Sequence, residues 1–189
     1  MSTHTIVALV ENRPGVLNKI ASKWRQRGFN IESLAVGHSE VAGFSRMAFT
    51  VDGTTTDVDQ VTKQMYKVIE VVKVSDLTEH DIVHRELALV KVAASSKDRA
   101  LVMEIANIFR AKIVDVASES LIIEVTGTEE KIDAFFEMLR PYGIKEIIRT
   151  GRVAMTRGAG SPTSLDGAHG EEHRYKSAGE GKAKVGSLL

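Results

Sequence analysis

Two asparagines and one Pro-Gly turn are the residues of this chain whose types and placement suggest chemistry. Asn12 sits in the turn Glu11-Asn12-Arg13-Pro14-Gly15, between the apolar run Thr5–Val10 and a stretch of helical spacing that opens with Val16 and Leu17. A helix that starts there directs unpaired backbone N–H groups and a partial positive charge at the turn, which is a ready carboxylate site. The amide of Asn12 both donates and accepts, so it can hold a carboxylate or an ammonium while carrying no charge. A cradle of amides and main-chain donors suits a zwitterion such as a free amino acid. The competing reading is local: Asn12 and Gly15 shape a strand-to-helix turn and nothing more. Asn30, after Gly28-Phe29, has the same two readings, because asparagine often satisfies backbone groups at the edge of an element.

Other chemistry is poorly represented. The chain has no cysteine, which removes disulfides, thiol nucleophiles, iron–sulfur clusters and cysteine-based zinc sites. It has no G-x-S-x-G elbow, no Walker A sequence and no G-x-G-x-x-G. His80 and His84 stand four apart, as do His169 and His173. A metal would need further ligands beside either pair, so both are read as exposed polar residues and no metal site is expected. The carboxylates fall on helix faces and turns and read as solvated surface. No catalytic residue and no enzyme emerges.

The composition agrees with a small soluble protein. Of 189 residues, 43% are hydrophobic and 26% charged, with 25 basic and 25 acidic side chains. A neutral chain without a basic stripe is a poor nucleic-acid binder, because phosphate contacts dominate such binding. The apolar runs are too short to span a membrane, and the N-terminus lacks a secretory pattern. A cytoplasmic location is the expectation.

The elements that would position the asparagines form a pattern that occurs twice. Thr5–Val10 predicts a strand. Val16, Leu17, Ile20, Ala21 and Trp24 predict a helix, with Pro14 in its first turn and Gly28 as its stop. Asn30–Gly37 and Phe44–Val51 predict strands. A second helix starts at Asp57, with Gln60 at capping-box spacing and Val58, Val61, Met65 and Ile69 as its stripe. Val71–Leu77 predicts a fourth strand. The order is β-α-β-β-α-β, the ferredoxin-like arrangement. The second half repeats it: strand Leu87–Ala93, a helix after Ser95 and Asp98 carrying Leu101, Ile105, Ile108 and Phe109, strands Lys112–Val116 and Leu121–Val125, a helix capped by Thr128 with Ile132, Phe135, Phe136 and Leu139, and a closing strand Ile144–Met155. The expected fold is α+β: two consecutive βαββαβ domains, residues 1–78 and 79–158, joined through the charged stretch Glu79–Arg85. Residues 159–189 carry little aliphatic sequence and are expected to be a disordered tail.

A family likeness adds to this reading. Val10-Glu11-Asn12-Arg13-Pro14-Gly15-Val16-Leu17 resembles the ligand loop of ACT domains, which are βαββαβ amino-acid sensors. Gln26-Arg27-Gly28-Phe29-Asn30-Ile31-Glu32-Ser33-Leu34, followed by Ser45-Arg46-Met47, resembles a more specific signature, that of the small regulatory subunits of acetolactate (acetohydroxyacid) synthase. Arg85–Val92, Ile108–Ala111, Asp115-Val116, Lys131–Phe135 and Arg149-Thr150-Gly151 are similar to that family's C-terminal domain. The likeness runs from about Thr5 to Gly158. Pro14 is a departure, since many relatives have a small residue there.

The resemblance implies a non-catalytic subunit that activates a catalytic large subunit and imposes feedback inhibition by valine. It implies a homodimer through ACT domains paired edge to edge. The effector would lie at the seam, held by Asn12, Gly15, Val16 and Leu17 of one copy and by Asn30 and Ile31 of the other, with Ile31 and Leu34 as an apolar wall. Leucine and isoleucine stay open as effectors, because one methylene changes affinity only about 10–200-fold. No cofactor is implied on this chain; thiamine diphosphate, magnesium and FAD would belong to the catalytic partner. The rival is a stand-alone ACT-type sensor that controls some other enzyme or regulator. RNA-recognition modules share the element order, but they need aromatics on one face of the central strands. Phe44 and Phe49 fall on opposite faces.

Overall fold

A computed structural model describes residues 3–160. The expected disordered tail lies outside the described residues, save for its first two.

The first unit runs β1 (Thr3–Glu11), α1 (Val16–Gln26), β2 (Ser33–His38), β3 (Phe44–Asp52), α2 (Val58–Met65) and β4 (Val71–Asp76). Its strands form one antiparallel sheet in the order β2-β3-β1-β4. Strand alternation explains the core. Ile6, Ala8 and Val10 of β1 share a face with Met47, Phe49 and Val51 of β3, and both rows bury against Val16, Ile20 and Trp24 of α1 and Val61 and Met65 of α2. The Trp24 and Phe49 rings lie 4.8 Å apart at their centroids. Burial of such side chains stabilises by about 1.5–3 kcal/mol each.

The second unit repeats the plan: β5 (Ile82–Ala93), α3 (Arg99–Ile108), β6 (Lys112–Ala117), β7 (Ser120–Gly127), α4 (Glu129–Leu139) and β8 (Ile144–Arg149), with strand order β6-β7-β5-β8. A short strand β9 (Val153–Thr156) pairs with the start of β5. Ala88, Val90 and Val92 bury against Val102, Ile105, Ile132, Phe135 and Leu139.

The two sheets touch. The face of the first sheet away from its helices carries Val7 and Ala48, which bury with Leu77 and pack against Ile82 of β5 and Ala154 of β9. Strand β5 starts at Ile82, inside the charged stretch 79–85, so most of that stretch is paired backbone.

Several sequence expectations change. β2 begins at Ser33, and Asn30 lies in the loop before it. Helix α2 ends at Met65, which leaves Ile69 84% exposed and outside the apolar stripe. In α3 the buried residues are Val102, Ile105 and Ala106, with Phe109 packed beside them; Ile108 is 69% exposed because it falls on the opposite side of the helix. Leu101 is likewise exposed. Pro14 precedes α1 instead of standing in its first turn. Thr128 occupies the N-cap of α4 without a side-chain cap bond, whereas the Asp57 carboxylate does accept from Gln60 N–H at 3.1 Å. The expected closing strand Ile144–Met155 breaks at Thr150–Arg152, where Gly151 adopts φ +77°.

Candidate functional site

The β1–α1 turn is built as the residues dictate. Asn12 N–H donates to Gly43 O at 2.8 Å, which ties the turn to the β2–β3 connection. Glu11 N–H donates to Glu70 O at 2.8 Å, and Arg13 Nε meets the Glu11 carboxylate at 2.8 Å. Gly15 takes φ +86°, a left-handed conformation that glycine tolerates best, and a Cβ added there would meet nothing within 4 Å. The space in front of α1 is therefore open.

The start of α1 is also uncapped. It has no side-chain cap and no acidic residue in its first turn. Helix α2 contrasts with it, having both the Asp57 cap and Asp59. A helix N-terminus without a side-chain cap leaves its first N–H groups for another acceptor. Val16 is buried in the core and Leu17 is 40% exposed. Asn12 is exposed, and its Nδ2 faces His38 Nδ1 at 3.5 Å. His38 is the residue that sequence reading missed. It lies 26 positions from Asn12, and only the strand register exposes the link: Ser45 of β3 pairs with Val10 on one side and His38 on the other.

Asn30 and Ile31 lie elsewhere. Asn30 Nδ2 donates to Glu32 Oε1 at 2.5 Å, and Ile31 and Leu34 pack in part on the core of their own unit. A shallow pocket of about 400 Å³ opens beside them, lined by Trp24, Phe29, Asn30 and Ile31. Asn12 precedes α1 and Asn30 follows it. The eleven residues of that helix span about 16 Å. One copy of the chain does not bring the two sets of residues together.

A larger cleft of about 620 Å³ separates the two units and is lined by Ser33, Leu34, Glu86, Glu129, Arg149 and Gly151, among others. Of the histidines, His80 is exposed, while His84 sits in β5 facing the seam. Burial, followed by the nearby Arg152 guanidinium, pushes the His84 imidazole below its ordinary value. Among the described residues no group of three or more His, Asp or Glu side chains could hold a metal. His169 and His173 lie outside the described residues. No helix among the described residues is long and apolar enough to cross a membrane.

Two successive βαββαβ units, the first presenting an uncapped helix N-terminus behind a Pro-Gly turn, define a double ferredoxin-like protein of the ACT class. The family model described as "AHAS small subunit-like ACT domain" matches residues 6–73, and that described as "Small subunit of acetolactate synthase" matches residues 85–158. The acetolactate synthase small subunit of Bacillus subtilis is 50% identical over 155 residues, covering 81% of this chain and 90% of its own. That of Mycolicibacterium smegmatis is 49% identical over 156 residues, covering 82% and 92%. The crystal structure of the small subunit from Thermotoga maritima superposes with a TM-score of 0.77 at 43% identity, covering 84% of this chain and 99% of that one. The chain belongs to the acetolactate synthase small-subunit family.

Proposed function

We propose that this chain is the regulatory, non-catalytic subunit of an acetolactate synthase of branched-chain amino-acid biosynthesis, that it activates the catalytic subunit, and that valine binds it to impose feedback inhibition. The condensation of 2-keto acids, with its thiamine diphosphate, magnesium and FAD, belongs to the partner; this chain holds no cofactor, and both subunits work in the cytoplasm.

One observation carries the effector site. β2 is the outer strand of the first sheet, hydrogen-bonded on one side to β3, with Val36 half exposed. Its C-terminal end, at His38, adjoins Asn12; its N-terminal end, at Ser33, follows Asn30 and Ile31. An exposed edge of this kind is a template for another strand. Two-fold antiparallel pairing of β2 with a second copy places the head of one strand beside the tail of the other. Asn12, Gly15, Val16 and Leu17 of one copy then face Asn30 and Ile31 of its partner, and the dimer holds two equivalent sites. The bare start of α1 takes the carboxylate, the two amides take the polar head, and the pocket beside Ile31 takes the aliphatic group.

Calorimetry of the purified chain against valine, leucine and isoleucine, with sedimentation to fix the oligomer, tests the reading. One branched-chain amino acid bound per chain in a dimer is the expected result. A monomer, or a dimer indifferent to all three at millimolar concentration, overturns it.

A further inference from the structure

We propose that the strap Thr150–Arg152 is the connection through which occupancy of the Asn30–Ile31 half-site reaches the second unit. The inference rests on the effector site just described and concerns its regulation.

The strap is anchored on the second unit at three points. Thr150 N–H donates to Leu87 O at 3.0 Å, and Leu87 N–H donates to Thr150 Oγ1 at 3.2 Å. On one flank Arg149 is gripped by Glu86 and Asp133. At the other end Arg152 Nη2 donates to Glu129 Oε2 at 2.9 Å, at the first residue of α4.

Two residues of the strap, Gly151 and Arg152, also meet the first unit. A Cβ at Gly151 would stand 2.9 Å from Ser33 Cβ, 3.1 Å from Ser33 Oγ and 3.4 Å from Leu34 N, so the strap passes too close to Ser33 for any side chain to fit between them. Arg152 N–H donates to Ser33 Oγ at 3.4 Å, and the Arg152 side chain, buried in the seam, donates from Nη1 to Thr5 Oγ1 at 3.1 Å. Ser33 Oγ also shares a 2.6 Å hydrogen bond with Thr50 Oγ1 of β3. Ser33 comes three residues after Asn30 and two after Ile31. A movement of that loop on closing around a ligand displaces Ser33 and with it the contacts to Gly151 and Arg152, which continue into β8 and, through Glu129, into α4.

A second contact between the sheets, where Val7, Ala48 and Leu77 meet Ile82 and Ala154, is apolar and non-directional. The strap is polar and position-specific, and packed interfaces of that kind respond to small shifts as discrete rearrangements.

The test is Gly151→Ala in the full chain, with valine affinity measured by equilibrium dialysis for the free subunit and for the complex with its catalytic subunit. Reciprocity of linkage, which holds for binding, requires the catalytic subunit to change valine affinity by the same factor by which valine changes the affinity between the two subunits, typically about 5–150-fold. In the variant the added methyl separates the strap from Ser33; the free chain is expected still to bind valine, while the ratio between complex and free chain falls to about 1 and valine inhibition weakens with it. A folded variant that keeps the wild-type ratio overturns the proposal, and so does one whose free chain no longer binds valine, because the strap would then belong to the pocket. Should Gly151→Ala not fold, Ser33→Ala removes the Oγ contacts without adding volume; the ratio is expected to fall, and an unchanged ratio is again fatal. Wild type that binds no branched-chain amino acid sinks the effector reading and this inference together, whereas normal wild-type coupling with normal variant coupling sinks this inference alone.

Discussion

Arg149 holds Glu86 with two hydrogen bonds, from Nε at 3.0 Å and from Nη2 at 2.6 Å, while its Nη1 reaches Asp133 at 2.6 Å. The guanidinium also lies 5.9 Å from the Phe136 ring centroid. One side chain at the end of β8 thus joins the start of β5 to α4. Glu86 is buried. Arg149→Ala leaves that carboxylate without its partner, and removal of one member of a buried pair costs about 3–5 kcal/mol; partial exposure of Arg149 places the expected loss near the lower end. Replacing both, as Glu86→Leu with Arg149→Met, is expected to cost less than the single change. Urea denaturation of the three variants checks the order.

Glu70 and Lys19 form an ion pair that ties the turn before β4 to α1. The Lys19 hydrogen bond holds the Glu70 carboxyl below its ordinary value. The folded state therefore releases this proton more readily than the unfolded state does, so the contribution is complete above the unfolded value of about 4.3 and is lost as pH falls through the lower folded value. Wild type is expected to exceed Glu70→Gln in stability at pH 7, and the gap is expected to narrow as pH falls below the unfolded value. Trp24, the only tryptophan, lies in the core beneath, so its fluorescence follows the unfolding of this unit. A gap that persists unchanged at low pH contradicts the linkage.

Gly15→Asp adds a negative charge at the open mouth of α1. Nothing within 4 Å would meet its Cβ, so the effect comes from charge and from strain at φ +86°. A carboxylate ligand is repelled by it. Loss of valine inhibition with activation of the catalytic subunit retained is the expected outcome of an assay on the reconstituted enzyme. Full inhibition at wild-type valine concentrations would place the carboxylate somewhere else.

A site divided between two copies makes a stricter demand. Gly15→Asp and Asn30→His are each expected to abolish valine binding alone. Mixed as unfolded chains and refolded together, they form mixed dimers in which one site carries both changes and the other carries neither. Random pairing then restores about a quarter of the wild-type sites. Equilibrium dialysis that finds no recovery in the mixture places the whole pocket within one chain.

Much of this was legible in the residues. The short β-forming runs Thr5–Val10 and Phe44–Val51 and the 3.6-residue spacing of Val16, Ile20 and Trp24 specify strands and helix, because runs of that length pair as strands and the helical spacing gathers its apolar residues on one face. Illegible were features set by neighbours. Ile69 and Ile108 looked like core residues because hydrophobicity does not show where a helix stops or which way its face turns. The break at Thr150–Arg152 stayed hidden because Ile147, Ile148, Val153 and Met155 continue as strand formers on both sides of it.

The sequence by itself determined the two βαββαβ units and the turn at Asn12–Gly15, since periodicity and turn chemistry act over a few residues. Only the tertiary structure decided that Asn12 stands beside His38 and that Gly151 lies against Ser33. Those relationships depend on strand register and on the seating of one sheet against another, which join residues from 26 to 118 positions apart and are set by the packing of the whole molecule.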